Sequence, residues 1–193
     1  MDRLLPRRRI LSCGAWGVGS LLLGGALEAA DCEETEDNIE GPFYKAGAPE
    51  RTALIEPGMP GTRLAVSGRV LNTRCEPVPY AVLDAWHCDA HGVYDNSGYT
   101  LRGKIHADKN GRYELRTIVP PAYQVSDKRY RPAHIHLKLS APNVPVFTTQ
   151  LYFEGDRWNP LDGAYRKSLE LRLTDGLNSL KLATFDFHLK TLT

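Results

Sequence analysis

The sequence lacks most of what would assign it quickly. Its 193 residues contain only six histidines, four cysteines and two methionines, and the net charge is only +1. A near-neutral balance gives no electrostatic case for nucleic acid or an anionic surface as a partner. No stretch of twelve or more residues keeps a clean helical period, so helix bundles and doubly wound α/β folds are excluded. There is no internal repeat and no low-complexity tract. The one long apolar run, Ile10–Leu23, is too short and too glycine-rich for a good membrane span.

That run has another reading. It follows "RLLPRRRIL" and leads into small residues, the build of an export signal over residues 1–30, cleaved near Ala29 or Ala30. Arg7, Arg8 and Arg9 before Ile10-Leu11 resemble a twin-arginine signal, which exports folded proteins. The sequence therefore predicts a periplasmic or extracellular protein with no stable membrane insertion after cleavage. Cleavage leaves Cys32, Cys75 and Cys88. An odd count forces at least one thiol out of intrachain pairing, and an oxidising compartment allows one disulfide. Cys75 in a turn and Cys88 at the far end of the next strand are poor partners for each other.

What is present is a run of short strands. Residues 31–62 are rich in acid, Gly and Pro and read as an extended arm. From residue 63 to 193, "RLAVSGRVL", "YAVLDAWH", "KIHADKNGRYELRTI", "PAHIHLKLS", "VFTTQLYFEGD", "KSLELRLTD" and "SLKLATFDFHL" alternate or are β-rich, with turn residues between them. Asn110-Gly111 is a strong hairpin signal. The expected fold is all-β: a β-sandwich of mainly antiparallel strands with long loops.

Two of the six histidines sit one residue apart in a strand, in "RPAHIHLKLS". Alternation points His134 and His136 to the same face, about 6–7 Å apart, a spacing that suits two imidazoles on one metal. No glutamate follows them as a cupin would require. "HCDAH" offers His87, Cys88, Asp89 and His91 as a rival zinc set, but a strand running into a Gly turn scatters those side chains. His106 and His188 are isolated. Tyr94, Tyr123 and Tyr130 each read alone as packing residues with a wet hydroxyl.

Taken together, "IEGPFYKAGAP", "GVYDN", "GRYELRTIVPPAY", "RPAHIHLKLSAP" and "TTQLYFEGD" resemble the intradiol ring-cleaving dioxygenases, the family of catechol and protocatechuate dioxygenases. The likeness runs in the family's order from about Glu40 to Asp156. It implies non-haem Fe(3+) held by Tyr94, Tyr123, His134 and His136, with Tyr123 as the tyrosinate that leaves for substrate. It implies Arg131 as the residue that stabilises charge on the ring, Gln150 near the bound ring, and Gly41 and Pro42 on the pocket wall. The implied reactants are a small catecholic aromatic and O2, and the implied product is a cis,cis-muconate-type diacid. Phenolate is a hard anionic oxygen donor, and together with imidazole it suits ferric iron better than a soft copper site, independently of the name. The long N-terminal helical segment through which catechol dioxygenases dimerise has no counterpart here, which leaves homo-oligomerisation open. The rival classes are an exported β-sandwich that binds metal or ligand without turnover, and a copper or zinc protein built on the histidine pair.

Overall fold

The computed structural model describes residues 32–192; the export signal read over residues 1–30 lies outside them. Among the described residues twelve strands form: β1 (Arg63–Asn72), β2 (Val82–Trp86), β3 (Arg102–His106), β4 (Arg112–Ile118), β5 (Tyr123–Ser126), β6 (Arg129–Arg131), β7 (His134–Ala141), β8 (Val144–Phe153), β9 (Glu170–Leu171), β10 (Thr174–Asp175), β11 (Lys181–Thr184) and β12 (Phe187–Leu189). Two five-stranded sheets result. One has the order β3-β2-β7-β8-β9; the other is built on β1, which pairs with β4, β11 and β12, with β10 beyond β11. Most pairs are antiparallel, while β1 runs parallel to β11 and β12, and β8 to β9.

The sandwich forms because alternate residues of these strands are apolar. Ile135, Leu137 and Leu139 of β7, Leu83 and Ala85 of β2, and Leu151 of β8 are at most 1% exposed and meet Leu64, Val66, Val70, Leu115 and Phe187 of the other sheet. Each of the Leu, Ile, Val and Phe side chains contributes about 1.5–3 kcal/mol on burial.

Three differences from the sequence reading have physical causes. Asn110-Gly111 does turn the chain, with Gly111 N–H donating to Asp108 O at 3.0 Å. However, β3 pairs with β2 while β4 pairs with β1, so the turn crosses between sheets instead of closing a hairpin. "KSLELRLTD" does not make one strand: it breaks into a 3-10 turn at Lys167–Leu169 and the two-residue strands β9 and β10. "YQVSDKRYR", which is not among the expected strands, forms a two-stranded ribbon, β5–β6.

The arm is not loose either. Its backbone N–H groups donate to both sheets and the turn after β1: Cys32 to Thr73 O, Thr35 to His188 O, Asn38 to Thr148 O and Leu54 to Arg116 O, all within 2.8–3.0 Å. A disulfide joins Cys32 to Cys75, 43 residues apart, and Cys88 is free and buried. A ring of that size stabilises by about 4 kcal/mol in the chain-entropy account. The staple fixes the start of the arm, which then crosses the outer face of β7 and β8.

Candidate active site

On β7 the residues between the core positions, His134 and His136, face away from the sandwich interior. In most sheets that face meets water. Here the arm covers it, so both histidines are 1% exposed. Register supplies their neighbours: Trp86 and Gln150 flank His136, and Tyr152 lies opposite His134. The Trp86 ring stacks on His136, centroids 4.8 Å apart and 2° from parallel.

The tautomer of His134 follows from its partner. Nδ1 lies 2.7 Å from Pro132 O, and a carbonyl only accepts, so Nδ1 carries the proton and Nε2 presents a lone pair. That Nε2 lies 3.1 Å from His136 Nε2 and 3.3 Å from the Tyr94 hydroxyl. The Tyr123 ring completes the group, 5.6 Å from His134 and 5.5 Å from Tyr94, centre to centre. All four residues expected to bind metal therefore come together.

Local chemistry places the tyrosines. The Asp89 carboxylate accepts the N–H groups of His91 and Val93, which bends the chain just before Tyr94. Gly92 has φ +80°, and a Cβ there would lie 2.9 Å from Tyr123 Cβ, so only glycine lets the two tyrosine segments approach. Phe43 of the arm stacks on Tyr94 at 4.3 Å. Tyr123 opens the β5–β6 ribbon and Arg131 closes it as its cross-strand partner.

Arg131 is held from two sides. Its Nε donates to Asp162 Oδ2 at 2.5 Å, and Nη2 donates to Gln150 Oε1 at 2.7 Å. Gln150 is fully buried; its Nε2 donates to Ile39 O at 2.7 Å and Asn38 Oδ1 at 3.3 Å. Gln150, expected near the bound ring, is set by β8 beside His136 and under the arm, in contact with Arg131 and Tyr152. Of the two residues expected on the pocket wall, Pro42 lines the cleft, while Gly41, at φ +75°, faces His136, where an added Cβ would sit 3.3 Å from Cε1. The cleft, about 810 Å³, is lined further by Tyr94, Tyr123, Arg131, Asp162 and Phe43.

The "HCDAH" residues diverge as the turn requires. His87 bonds Thr117 Oγ1 at 2.6 Å, Cys88 packs on Trp86 and Tyr94, Asp89 caps its own turn, and His91 is exposed. His106 pairs with Glu50 on the surface.

Arg102 was not legible as a site residue. It is 1% exposed, and its Nε donates to Asp95 O at 2.9 Å while Nη1 donates to Phe43 O at 2.6 Å. It thereby ties the Tyr94 turn to the arm, with its guanidinium carbon 5.9 Å from the Tyr94 ring centre. The apolar spacing around "LRGK" gave no hint that this charge is interior.

Burial sets the electrostatics. It pushes the Tyr94 phenol far above its ordinary range, aided by neighbouring Tyr123, and raises Tyr123 as well. It lowers His134 to about 3, with the Arg131 charge adding to the effect, and His136 well below its usual value. A pocket that holds imidazoles neutral and contains two phenols fits a metal cation, whose charge ionises phenols beside it. Buried His136 turns Nε2 toward His134, and its other ring nitrogen, Nδ1, has no hydrogen-bond partner.

These shifts predict acid sensitivity of metal-free protein. His87 and His134 fall to about 4 and about 3 in the fold. Below about pH 6.5 the unfolded chain binds protons there that the folded chain refuses, so stability is lost as pH falls from 6.5 to about 4 for His87 and to about 3 for His134. Between pH 7 and pH 5 the two residues together remove up to about 4 kcal/mol. Urea unfolding of chelated protein at both pH values measures it; equal unfolding free energies would contradict the assignment.

Comparison with known proteins gives a consistent picture. A family model described as Dioxygenase matches residues 39–191. The chain is 33% identical over 172 residues to a catechol 1,2-dioxygenase of Pseudomonas sp. (strain EST1001), covering 75% of this chain and 57% of that protein. It is 32% identical over 164 residues to a chlorocatechol 1,2-dioxygenase of Rhodococcus opacus, covering 72% and 64%. Among solved structures, the dioxygenase domain of a dioxygenase–carbohydrate-binding protein fusion from Streptomyces sp. SirexAA-E superposes with TM-score 0.76 at 38% identity, covering 82% of this chain and 99% of that one. The 3-chlorocatechol 1,2-dioxygenase of Rhodococcus opacus 1CP gives TM-score 0.78 at 30% identity, covering 82% and 73%. The chain spans less than two thirds of the length of the two curated relatives named here.

Proposed function

The chain belongs to the intradiol ring-cleaving dioxygenase family, and from that premise we propose that it is a non-haem Fe(3+) enzyme inserting both atoms of O2 into a catecholic ring to give a cis,cis-muconate-type diacid. The observation that carries the reading is the convergence of Tyr94, Tyr123, His134 and His136, with both tyrosines and the charged Arg131 lining one cleft. A binding module would need neither the phenols nor the part-buried guanidinium.

Ferric iron, when bound, would chelate the two catechol oxygens and activate the ring toward O2. The residues supply the rest. Tyr94, buried and packed under Phe43, is the phenol that stays in place. Tyr123, half-buried at the base of the ribbon and lining the cleft, is the one free to swing and take a substrate proton. Arg131 is fixed by Asp162 and Gln150 before substrate arrives, so its charge needs no reorganisation when negative charge develops on the ring. Asp162 and Gln150 are positioning residues for that arginine.

Export belongs to the same proposal. It is supported by the Arg7–Arg9 run ahead of a short apolar stretch and by a disulfide, which suits an oxidising compartment. Oxygen uptake by iron-loaded protein across a panel of catechols, with identification of the diacid, tests the activity. Uptake with at least one catechol is expected. Iron-loaded protein that consumes oxygen with none would return the chain to a binding role.

A further inference from the structure

Apolar side chains exposed singly are ordinary on a protein surface; a cluster around one opening is not. Ile39, Val93, Val125 and Leu161 are exposed by 52%, 61%, 39% and 71%, and all four line the cleft that Tyr94, Tyr123 and Arg131 also line. They come from four separate segments: the arm, the turn before Tyr94, the β5–β6 ribbon and the 3-10 turn at Asn159–Leu161. Hydrophobic surface from four places has been gathered at one mouth and left wet.

Size and depth point the same way. His134 and His136 are 1% exposed, so a ring whose oxygens reach them must carry any substituent outward past the rim. The cleft holds about 810 Å³, while a cavity of about 150 Å³ suffices for benzene. A bare catechol leaves most of that space, and the whole apolar rim, unused.

The ribbon adds a local cause. Gln124 pairs with Tyr130 and Ser126 with Arg129, so Val125 is the extra residue of a β-bulge. Bulges beside active sites re-aim a side chain, and this one lines the cleft two residues beyond Tyr123. A group resting on Val125 therefore touches the same ribbon that holds Tyr123 and Arg131.

Resting on the dioxygenase reading, we propose that the outer part of the cleft is a subsite for an uncharged apolar substituent. The preferred substrates are catechols bearing an extended alkyl or aryl group, and Val125 and Leu161 set that preference.

The test compares kcat/KM of iron-loaded wild type for catechol, 4-hexylcatechol, 4-phenylcatechol and a catechol with a carboxylate-ended chain. The apolar tails are expected to raise kcat/KM by about tenfold or more over catechol, chiefly through KM. In Val125→Ser/Leu161→Ser that ratio should collapse toward one, both substrates being measured in the same variant. Catechol turned over as well as, or better than, the tailed substrates would overturn the subsite while leaving the dioxygenase reading intact. A preference for the carboxylate-ended chain would transfer the subsite to Arg129 on the ribbon and overturn the apolar assignment. A wild-type oligomer dispersed by Leu161→Ser, with no change in substrate ratio, would assign the rim to a second copy of the chain. Oxygen uptake with none of the four would bring down the dioxygenase reading and this inference with it.

Discussion

His134→Ala is expected to give a folded chain that retains no iron and shows no visible absorption after reconstitution, whereas wild type should bind iron and be red to burgundy. The colour arises because two phenolates beside a ferric ion give a ligand-to-metal charge-transfer band. The effect is large because nothing can replace the lost nitrogen. His134 is pinned to Pro132 O through Nδ1, and its Nε2 is aimed at the point where His136 Nε2 and the Tyr94 hydroxyl also converge. Its strand is buried on both faces, so water has little access and no neighbouring donor can slide in. Losing only a hydrogen-bond partner of a ligand typically costs 10–100-fold in metal affinity, so losing a ligand itself should cost more than about 100-fold. Tyr94→Phe should also weaken iron binding and bleach much of the band. Tyr123→Phe, at the half-exposed ribbon, should keep part of the colour and turn over slowly. Iron content per chain and the visible spectrum read all three, and circular dichroism checks that each variant folds. A fully loaded, fully coloured His134→Ala protein would remove the histidine pair from the metal site.

Much of this site was legible because strand alternation is a local rule. It placed His134 and His136 on one face without any knowledge of the partner strands, and it gave the apolar positions of the core. What it could not give was the register across strands. That Trp86 stacks on His136, and that Gln150 backs Arg131, depends on how β2 and β8 align with β7, which no single segment encodes. The same limit explains the Asn110-Gly111 turn: its residues dictate the reversal, while the sheet each flanking strand joins is decided by distant β1 and β2. The cysteines show it again. Local placement argued against Cys75 with Cys88, but only the path of the arm brings Cys32 to Cys75. Asn38 and Ile39, which carry Gln150, belong to a Gly- and Pro-bounded arm whose composition says loop and whose contacts say wall.

Arg131→Leu should separate binding from turnover. Arg131 contributes none of the four donor atoms, so the variant is expected to keep its iron and its colour. Its kcat should fall by about 2–4 kcal/mol in barrier, roughly 30- to 1000-fold, the scale for deleting one preorganised charge-stabilising donor. A confound must be handled: removing the guanidinium strands the nearly buried Asp162 carboxylate, whose side chain is 7% exposed, and an unpaired buried charge is destabilising in its own right. Arg131→Leu/Asp162→Asn removes both charges, so a rate loss that persists in the double variant belongs to the missing cation and not to a distorted pocket. Arg131→Lys restores the charge but not the planar fork that holds Asp162 and Gln150 together, and should recover only part of the rate. Single-turnover rates on iron-loaded protein, with loading checked by the visible band, make the measurement. Loss of iron from Arg131→Leu would mean the arginine builds the metal site, and near-wild-type turnover in the double variant would mean that charge on the ring is stabilised elsewhere. The arrangement argues against both: the guanidinium stands in the cleft wall beside the phenols and is held by side chains of its own, which fixes its position whether or not a substrate is there.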